Sequence, residues 1–325
     1  MQATAKANTN IALIKYWGKR DDTLFLPMNS SLSITLDGFY TITTVEFCKE
    51  LAKDAFFLNN RPASEREFNK VSQFLNHIRN LAGIHLPAVV TSENKVPTAA
   101  GFASSASGFA ALAAAAAKAA NLELSKKELS ILARQGSGSA CRSIYGGYVE
   151  WQKGIESDGS DSFANQLLPE EDWNISILSV LVASEEKKVS SREGMKRTVD
   201  TSPFYDGWLH TVQKDFETAK EAIKSKDFEK LGKVVEANSL KMHATMLGAE
   251  PPILYWQSGT MEIMHHIQKL RLSGILAYFT IDAGANVKVL CLPSDEQSVY
   301  ESLLTLPAVQ SVITCHPGSG VTYLS

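Results

Sequence analysis

Pro97-Thr98-Ala99-Ala100-Gly101-Phe102-Ala103-Ser104-Ser105-Ala106-Ser107-Gly108 lies between two readable elements. Before it, Leu86-Pro87-Ala88-Val89-Val90-Thr91-Ser92 has the β-branched content of a strand. After it, Ala110 to Ala120 is nearly all alanine, the strongest helix former. A strand, a loop of Gly, Ser and Ala, then a helix is how backbone amides are aimed at a phosphate. Small side chains let an anion reach the main chain. The first-turn N–H groups have no partner inside the helix, and the helix dipole favours negative charge there. Ser104, Ser105 and Ser107 add hydroxyls for phosphate oxygens or a metal ion. Loops of this composition also form close-packed core turns, so the stretch alone leaves both readings open. It matches neither the G-x-x-x-x-G-K-[ST] phosphate loop nor the dinucleotide G-x-G-x-x-G.

The rest of the chain narrows the choice. Its 325 residues suit one large or two medium domains. The formal net charge of −3, with both signs interspersed, argues against nucleic acid or a membrane surface as partner, so any basic site is local. Cys48, Cys141, Cys291 and Cys315 are far apart and form no C-x-x-C, which fits a reduced, cytosolic protein better than a disulfide framework or a zinc site. The opening Met-Gln-Ala-Thr-Ala-Lys lacks a signal-peptide pattern, and no apolar run reaches membrane-spanning length.

Outward from the loop, Asn10 to Ile14 reads as a short buried strand ending in Lys15-Tyr16-Trp17-Gly18-Lys19-Arg20. A solvated turn anchored by its aromatics explains one or two of these cations; all three suit a polyanionic ligand. Ser31 to Leu36 alternates as a half-buried strand, Asp37-Gly38 is a hairpin signal, and Tyr40 to Phe47 is the returning strand. Glu65 to Leu81 has helical apolar spacing, with Lys70 off the stripe. Ser125-Lys126-Lys127-Glu128 is a capping box, and its helix stops at a second small-residue loop, Gly136-Ser137-Gly138-Ser139-Ala140-Cys141-Arg142-Ser143. Arg142 belongs either to a shared anion site or to an ordinary surface.

Ile175 to Val182 is a strand that opens a second domain. The charges from Glu185 to Met195 read as a solvated loop. Helical faces follow around Trp208, Phe228 and Ile263; Met242 and Met246 read as core filler, and His265-His266 as surface or core histidines without metal spacing. Ile275 to Ile281 is a strand ending in Asp282-Ala283-Gly284, a tight turn whose aspartate serves local hydrogen bonding or chemistry. With a capped helix from Ser294 to Leu306 and a last strand from Val309 to Thr314, this half runs β, helices, β-β-α-β, a ferredoxin-like order.

Taken together, Asn10 through Arg20, Pro97 through Gly101 with its serines, Gly136 through Ser143, Val189-Ser190-Ser191-Arg192-Glu193-Gly194-Met195 and Asp282-Ala283-Gly284 resemble the diphosphomevalonate decarboxylases, in order and across nearly the whole chain. Phe102 stands where leucine is usual and Ala285 where proline is usual. The resemblance implies the GHMP kinase fold, an α+β architecture. Residues 1–172 would form an amino-terminal domain like ribosomal protein S5 domain 2, and residues 173–325 a ferredoxin-like domain carrying the aspartate. It implies ATP, Mg²⁺, a cytoplasmic homodimer, and conversion of (R)-5-diphosphomevalonate to isopentenyl diphosphate with loss of CO₂.

By the same resemblance Asp282, Arg142 and Lys187 are catalytic, with Lys188 the alternative to Lys187. Tyr16, Trp17, Gly18, Lys19, Lys70, Ser137, Gly138, Ser139, Ala140, Cys141, Arg142, Ser191 and Arg192 hold the substrate. Ser92, Asn94, Pro97, Ala99, Ala100, Gly101, Ala103, Ser104, Ser105 and Ser107 hold the nucleotide, and Ser105 and Ser107 reach the metal. Three rivals remain at this level: a plain small-molecule kinase of the same superfamily, which needs no carboxylate clamp; a decarboxylase of the monophosphate; and a member that binds ligand without turnover.

Overall fold

The computed structural model describes residues 1–95, 104–182 and 188–324, and of Ser104 only the backbone. Pro97, Ala99, Ala100, Gly101, Ala103 and Lys187 lie outside the described residues. In chain order the first half runs β1 (Gln2–Ile14), β2 (Lys19–Asp21), β3 (Leu26–Pro27), β4 (Ser31–Phe47), β5 (Ala55–Leu58), β6 (Arg61–Pro62), α1 (Glu65–Ala82), β7 (Ala88–Asn94), α2 (Ser104–Ala119), α3 (Lys126–Gly136), a 3-10 helix (Gly138–Ile144), β8 (Tyr148–Trp151) and β9 (Ala164–Leu168). The second half runs β10 (Ser176–Leu181), α4 (Ser191–Thr201), α5 (Tyr205–Ser225), α6 (Phe228–Leu247), α7 (Ser258–Leu272), β11 (Ala277–Ile281), β12 (Val287–Cys291), α8 (Glu296–Leu304), β13 (Ser311–Cys315) and β14 (Thr322–Tyr323).

Among the described residues each half has its own sheet. The first has the order β14-β1-β4-β7-β5-β6, with β8 on β4 and β9 on β8; the second has the order β11-β12-β10-β13. The alanine tract explains the first layer. Ala110, Ala111 and Ala113 to Ala116 are fully buried, so α2 packs with small side chains against β1, β4 and the 3-10 helix. Ser125 forms the expected capping box at the start of α3, and Ser64 forms another at α1.

A third cluster of buried side chains runs between the halves. It joins Ile11, Leu13 and Trp17 to Trp208, Phe216 and Met242, so the two halves pack on each other as well as on their own sheets. β14 pairs with Ala5 and Lys6 of β1, which brings the end of the second half back onto the first sheet. No helix among the described residues is long and apolar enough to cross a membrane.

Several elements differ from the sequence reading; residues 191–195, for one, read as part of a solvated loop but form the start of α4 behind the Ser190 cap. Asp37-Gly38 makes no hairpin: β4 runs through it, and the β1 ladder continues on both sides of an irregularity, from Asn8 opposite Tyr40 to Asn10 opposite Thr35. The segment after β13 bridges that gap. The His316 N–H donates to Asp37 at 2.8 Å, and Leu36 pairs with Pro317. Asp-Gly thus serves a bulge, whose torsional demands overlap those of a turn. The first strand starts at Gln2 because Ala3, Ala5 and Ala7 bury one face against the helical layer, and small alternating residues carry a weak period-2 signal. The second small-residue loop is a 3-10 helix, Gly138–Ile144.

Candidate active site

The site lies where the end of β1, the 3-10 helix and the turn after β11 meet. β1 ends in four apolar residues and then Lys15, whose side chain is buried to 2 % exposure and whose Nζ donates to the Asp282 carboxylate at 2.6 Å. Asp282 follows five fully buried residues of β11 and comes free of the sheet at this point, with a third of its side chain exposed. Burial opposes its charge, but Lys15, Lys288 and Arg142 outweigh that and hold the carboxyl below the usual carboxylate range. Burial likewise lowers the Lys15 ammonium, against the pull of Asp282. Asp282 is therefore ionised at neutral pH, and it is the more open member of the pair.

Arg142 is wholly interior. Its Nη1 donates to Ser31 Oγ at 2.7 Å, and its Nη2 and Nε donate to Asn10 Oδ1 at 3.1 and 3.3 Å. Asn10 is itself fixed, donating to Ser143 Oγ at 2.8 Å and to the Ser139 carbonyl at 3.0 Å. These partners are neutral, so the guanidinium keeps its charge without a carboxylate in contact among the described residues. Burial lowers its pKa, with Cys141, Asp282 and Tyr16 opposing. A buried guanidinium held by neutral partners can still take an anion in bidentate geometry.

Beside it, Tyr16 stands edge-on to Trp151, at 4.7 Å between centroids, and its buried hydroxyl has no partner among the described residues. Burial raises that phenol, which therefore stays a donor. A Cβ at Gly138 would lie 2.9 Å from the Tyr16 ring and 3.0 Å from its hydroxyl, so the glycine keeps open the space the hydroxyl faces. Ala140 and Cys141 are buried behind it, and burial pushes the Cys141 thiol up to about 12, which makes it a packing group. Trp17 is core, and its carbonyl accepts from Tyr205 Oη at 2.8 Å. Gly18 takes φ 104°, and a Cβ there would strike the same phenol, so two constraints require glycine.

Lys19 reaches Asp22 at 2.8 Å and lies over the Phe25 ring, as does the guanidinium of Arg192 at 5.1 Å. Arg192 in turn lowers Lys70, after burial and Arg66. Lys19 of β2 and Arg192 of α4 thus meet over one ring, and Lys70 of α1 lies within the field of Arg192. Ser191 opens α4 behind the Ser190 N-cap.

At the start of α2, Ser105 is exposed, and the Ser137 hydroxyl lies 3.4 Å from it. Ser107 and Ser92 are buried, in contact with Thr41 and Thr43 at 2.8 Å each, and Asn94 accepts from Thr41 at 3.2 Å. These three tie the start of α2 to β4 and β7. Lys188 is exposed.

The sequence marks Lys15 as one of three cations suited to a polyanionic ligand, whereas the structure pairs it with Asp282, and nothing local singles out Asn10 or Ser31 for the site. A lysine directly after an apolar run and an asparagine inside a buried strand are signals of buried polar chemistry, but their partners lie far away in sequence, at 282 and 142. Nothing in the sequence around His243 signals its place beside the site. It is buried, hydrogen-bonds the Ile281 carbonyl at 3.3 Å and packs on Trp256; burial and then Lys15 push it down to about 3, so it is neutral.

Residues 7–164 match the family described as the diphosphomevalonate decarboxylase-like N-terminal domain, and residues 177–319 match the mevalonate 5-diphosphate decarboxylase C-terminal domain. The chain is similar to the diphosphomevalonate decarboxylase of Saccharomyces cerevisiae, 41 % identical over 323 residues, covering 94 % of this chain and 81 % of that protein. A solved chain, MDDEF in complex with MVAPP, AMPPCP and magnesium, is 48 % identical with a TM-score of 0.94, covering 100 % of this chain and 99 % of that one. The mevalonate diphosphate decarboxylase from Staphylococcus aureus is 44 % identical with a TM-score of 0.94, covering 100 % and 98 %.

Proposed function

The chain belongs to the diphosphomevalonate decarboxylase family, and from that membership we propose how its cleft converts (R)-5-diphosphomevalonate to isopentenyl diphosphate. The reaction is an ATP-dependent decarboxylation of the mevalonate pathway on a two-domain GHMP kinase fold, with ATP and Mg²⁺ as cofactors. ATP supplies the phosphoryl group that turns the tertiary 3-hydroxyl into a leaving group. Phosphate then departs with the C3–O electron pair, and the bond to the carboxyl carbon breaks to form the double bond and CO₂.

Asp282 accepts a hydrogen bond from the 3-hydroxyl and orients it. A carboxylate held below its usual range is a weak base. The loose transition state of phosphoryl transfer asks for positioning more than for early proton removal, so the weakness costs little. The hydroxyl proton passes late to Asp282 and from it to solvent or the transferred phosphate, so Asp282 is ionised again when positive charge builds at C3 as phosphate leaves. Arg142, braced by Asn10 and Ser31, holds the substrate carboxylate in line. Tyr16, Gly138, Ser139, Lys19, Lys70, Ser191 and Arg192 take the diphosphate. Ser105 is the exposed described hydroxyl of the nucleotide loop and contacts phosphate or Mg²⁺; Ser107, Ser92 and Asn94 support it from beneath. Lys187 or Lys188 neutralises the transferring group.

We place the domain boundary at 172/173, with β14 returning to the first sheet, and read the protein as a cytoplasmic homodimer. The observation that carries the site is the contact of Lys15 with Asp282 within the field of Arg142. With carboxyl-labelled diphosphomevalonate and Mg-ATP, the protein should release labelled CO₂ and ADP in equal amounts. ADP without CO₂ would mean a kinase instead.

A further inference from the structure

β11 is an edge strand of the second sheet, and its free side is not open to solvent. Side chains of one helix face cover it. On α6, Glu236 accepts from the Phe279 N–H at 3.2 Å, Ser239 Oγ accepts from the Ile281 N–H at 2.9 Å and donates to the Ile281 carbonyl at 3.1 Å, and His243 bonds that same carbonyl. From α7, Arg271 donates to the Ala277 carbonyl at 2.7 Å and pairs with Glu236. Positions 236, 239 and 243 share a face of the helix, and residues 277, 279 and 281 share an edge of the strand. The helix thus acts as a neighbouring strand would.

The same helix also holds the opposite wall. Asn238 Oδ1 accepts the Lys15 N–H at 2.9 Å, and its Nδ2 donates to Asp215 at 2.9 Å, which Lys241 anchors at 2.7 Å. Asn238 and Ser239 are both fully buried. One of these adjacent residues fixes the backbone of Lys15, and the other fixes the residue before Asp282. We propose that Asn238 and Ser239 of α6 are positioning residues that set the separation of the Lys15 ammonium from the Asp282 carboxylate across the two halves of the protein. This rests on the assignment of Asp282 and Lys15 to the site.

The groups facing Asp282 are Lys15 from β1, Lys288 from β12, Arg142 from the 3-10 helix and His243 from α6. If the pair loosens, Lys15 loses the contact that resists its fall, and Asp282 loses a contact that depresses it. The kcat–pH profile should then narrow from both sides, and most measurably its alkaline limb should move to lower pH.

The test compares Ser239→Ala, Ser239→Thr and Glu236→Gln in the full chain. Ser239→Ala should lower kcat about tenfold or more, since small misplacements of reacting groups are costly, with KM for both substrates changed far less and the alkaline limb shifted down. Ser239→Thr keeps the hydroxyl and should restore the limb. Glu236→Gln, at the far end of the seam, should lower Tm without moving the limb. If Ser239→Ala does not fold, Ser239→Cys carries the same expectation. An unchanged limb in a folded hydroxyl-less variant, or an equal shift in Glu236→Gln, overturns the proposal. An inactive Asp282→Ala alongside such an unchanged limb leaves the reaction standing and removes only the role of α6.

Discussion

Arg142 shows why residue type matters more than charge at this site. Its fork is braced from two sides by Asn10 and Ser31, which fixes the plane in which a carboxylate can be received. Arg142→Lys keeps a cation but loses the fork, so kcat should fall by about tenfold or more while KM rises much less. Steady-state kinetics decide it: an effect confined to KM would mean that Arg142 binds ground state and transition state alike. Lys15→Met asks the complementary question. It leaves Asp282 without its nearest cation, so the carboxyl should titrate higher. The acid limb of kcat/KM should move up, and an unmoved limb would mean that Lys15 does not set that titration.

Elements explain which parts of the site could be read in advance. The second small-residue segment and the aspartate at the end of an apolar strand were legible because each carries its signal in a few neighbouring residues. Lys15 was legible as a cation but not as the partner of Asp282, and Asn10 and Ser31 were not legible, because their roles depend on contacts more than a hundred residues away. Asp37-Gly38 was misread for the opposite reason. Its local signal is strong, but the pairing of β4 with β1 on both sides of it, and the bridge from His316 and Pro317, override that signal.

Gly38 tests this packing. A Cβ there would lie 2.9 Å from Cys315 Sγ, so β4 and β13 touch through a glycine and a thiol. Gly38→Val should cost about 1–3 kcal/mol by overpacking. Adding Cys315→Ala should recover part of that cost, because residues in contact couple. Denaturant unfolding of the single and double variants measures it; strictly additive losses would mean that the bulge does not bear on β13.

At the scale of the molecule, the site sits on a seam made from both halves, and that seam is charged where most cores are not. Lys15, Arg142 and Lys288 are buried, Asp282 is the carboxylate they share, and neutral His243 lies behind them. Folding therefore resists protonation here. His243 ordinarily titrates at 6.5 but is pushed down to about 3 in the fold. Between those values the unfolded chain binds the proton and the folded chain does not, so stability falls as pH drops through that window. His243→Phe should flatten the fall, read as Tm against pH; an identical slope would mean that His243 is not its source.

The central claim is that a carboxylate delivered by the second half of the chain orients a hydroxyl held by the first. A single turnover of Asp282→Ala with Mg-ATP and carboxyl-labelled diphosphomevalonate tests it most directly. Both ligands should bind with near-normal affinity, and neither ADP nor labelled CO₂ should form at an appreciable rate. ADP and CO₂ appearing at the rate of the unaltered protein would contradict the account.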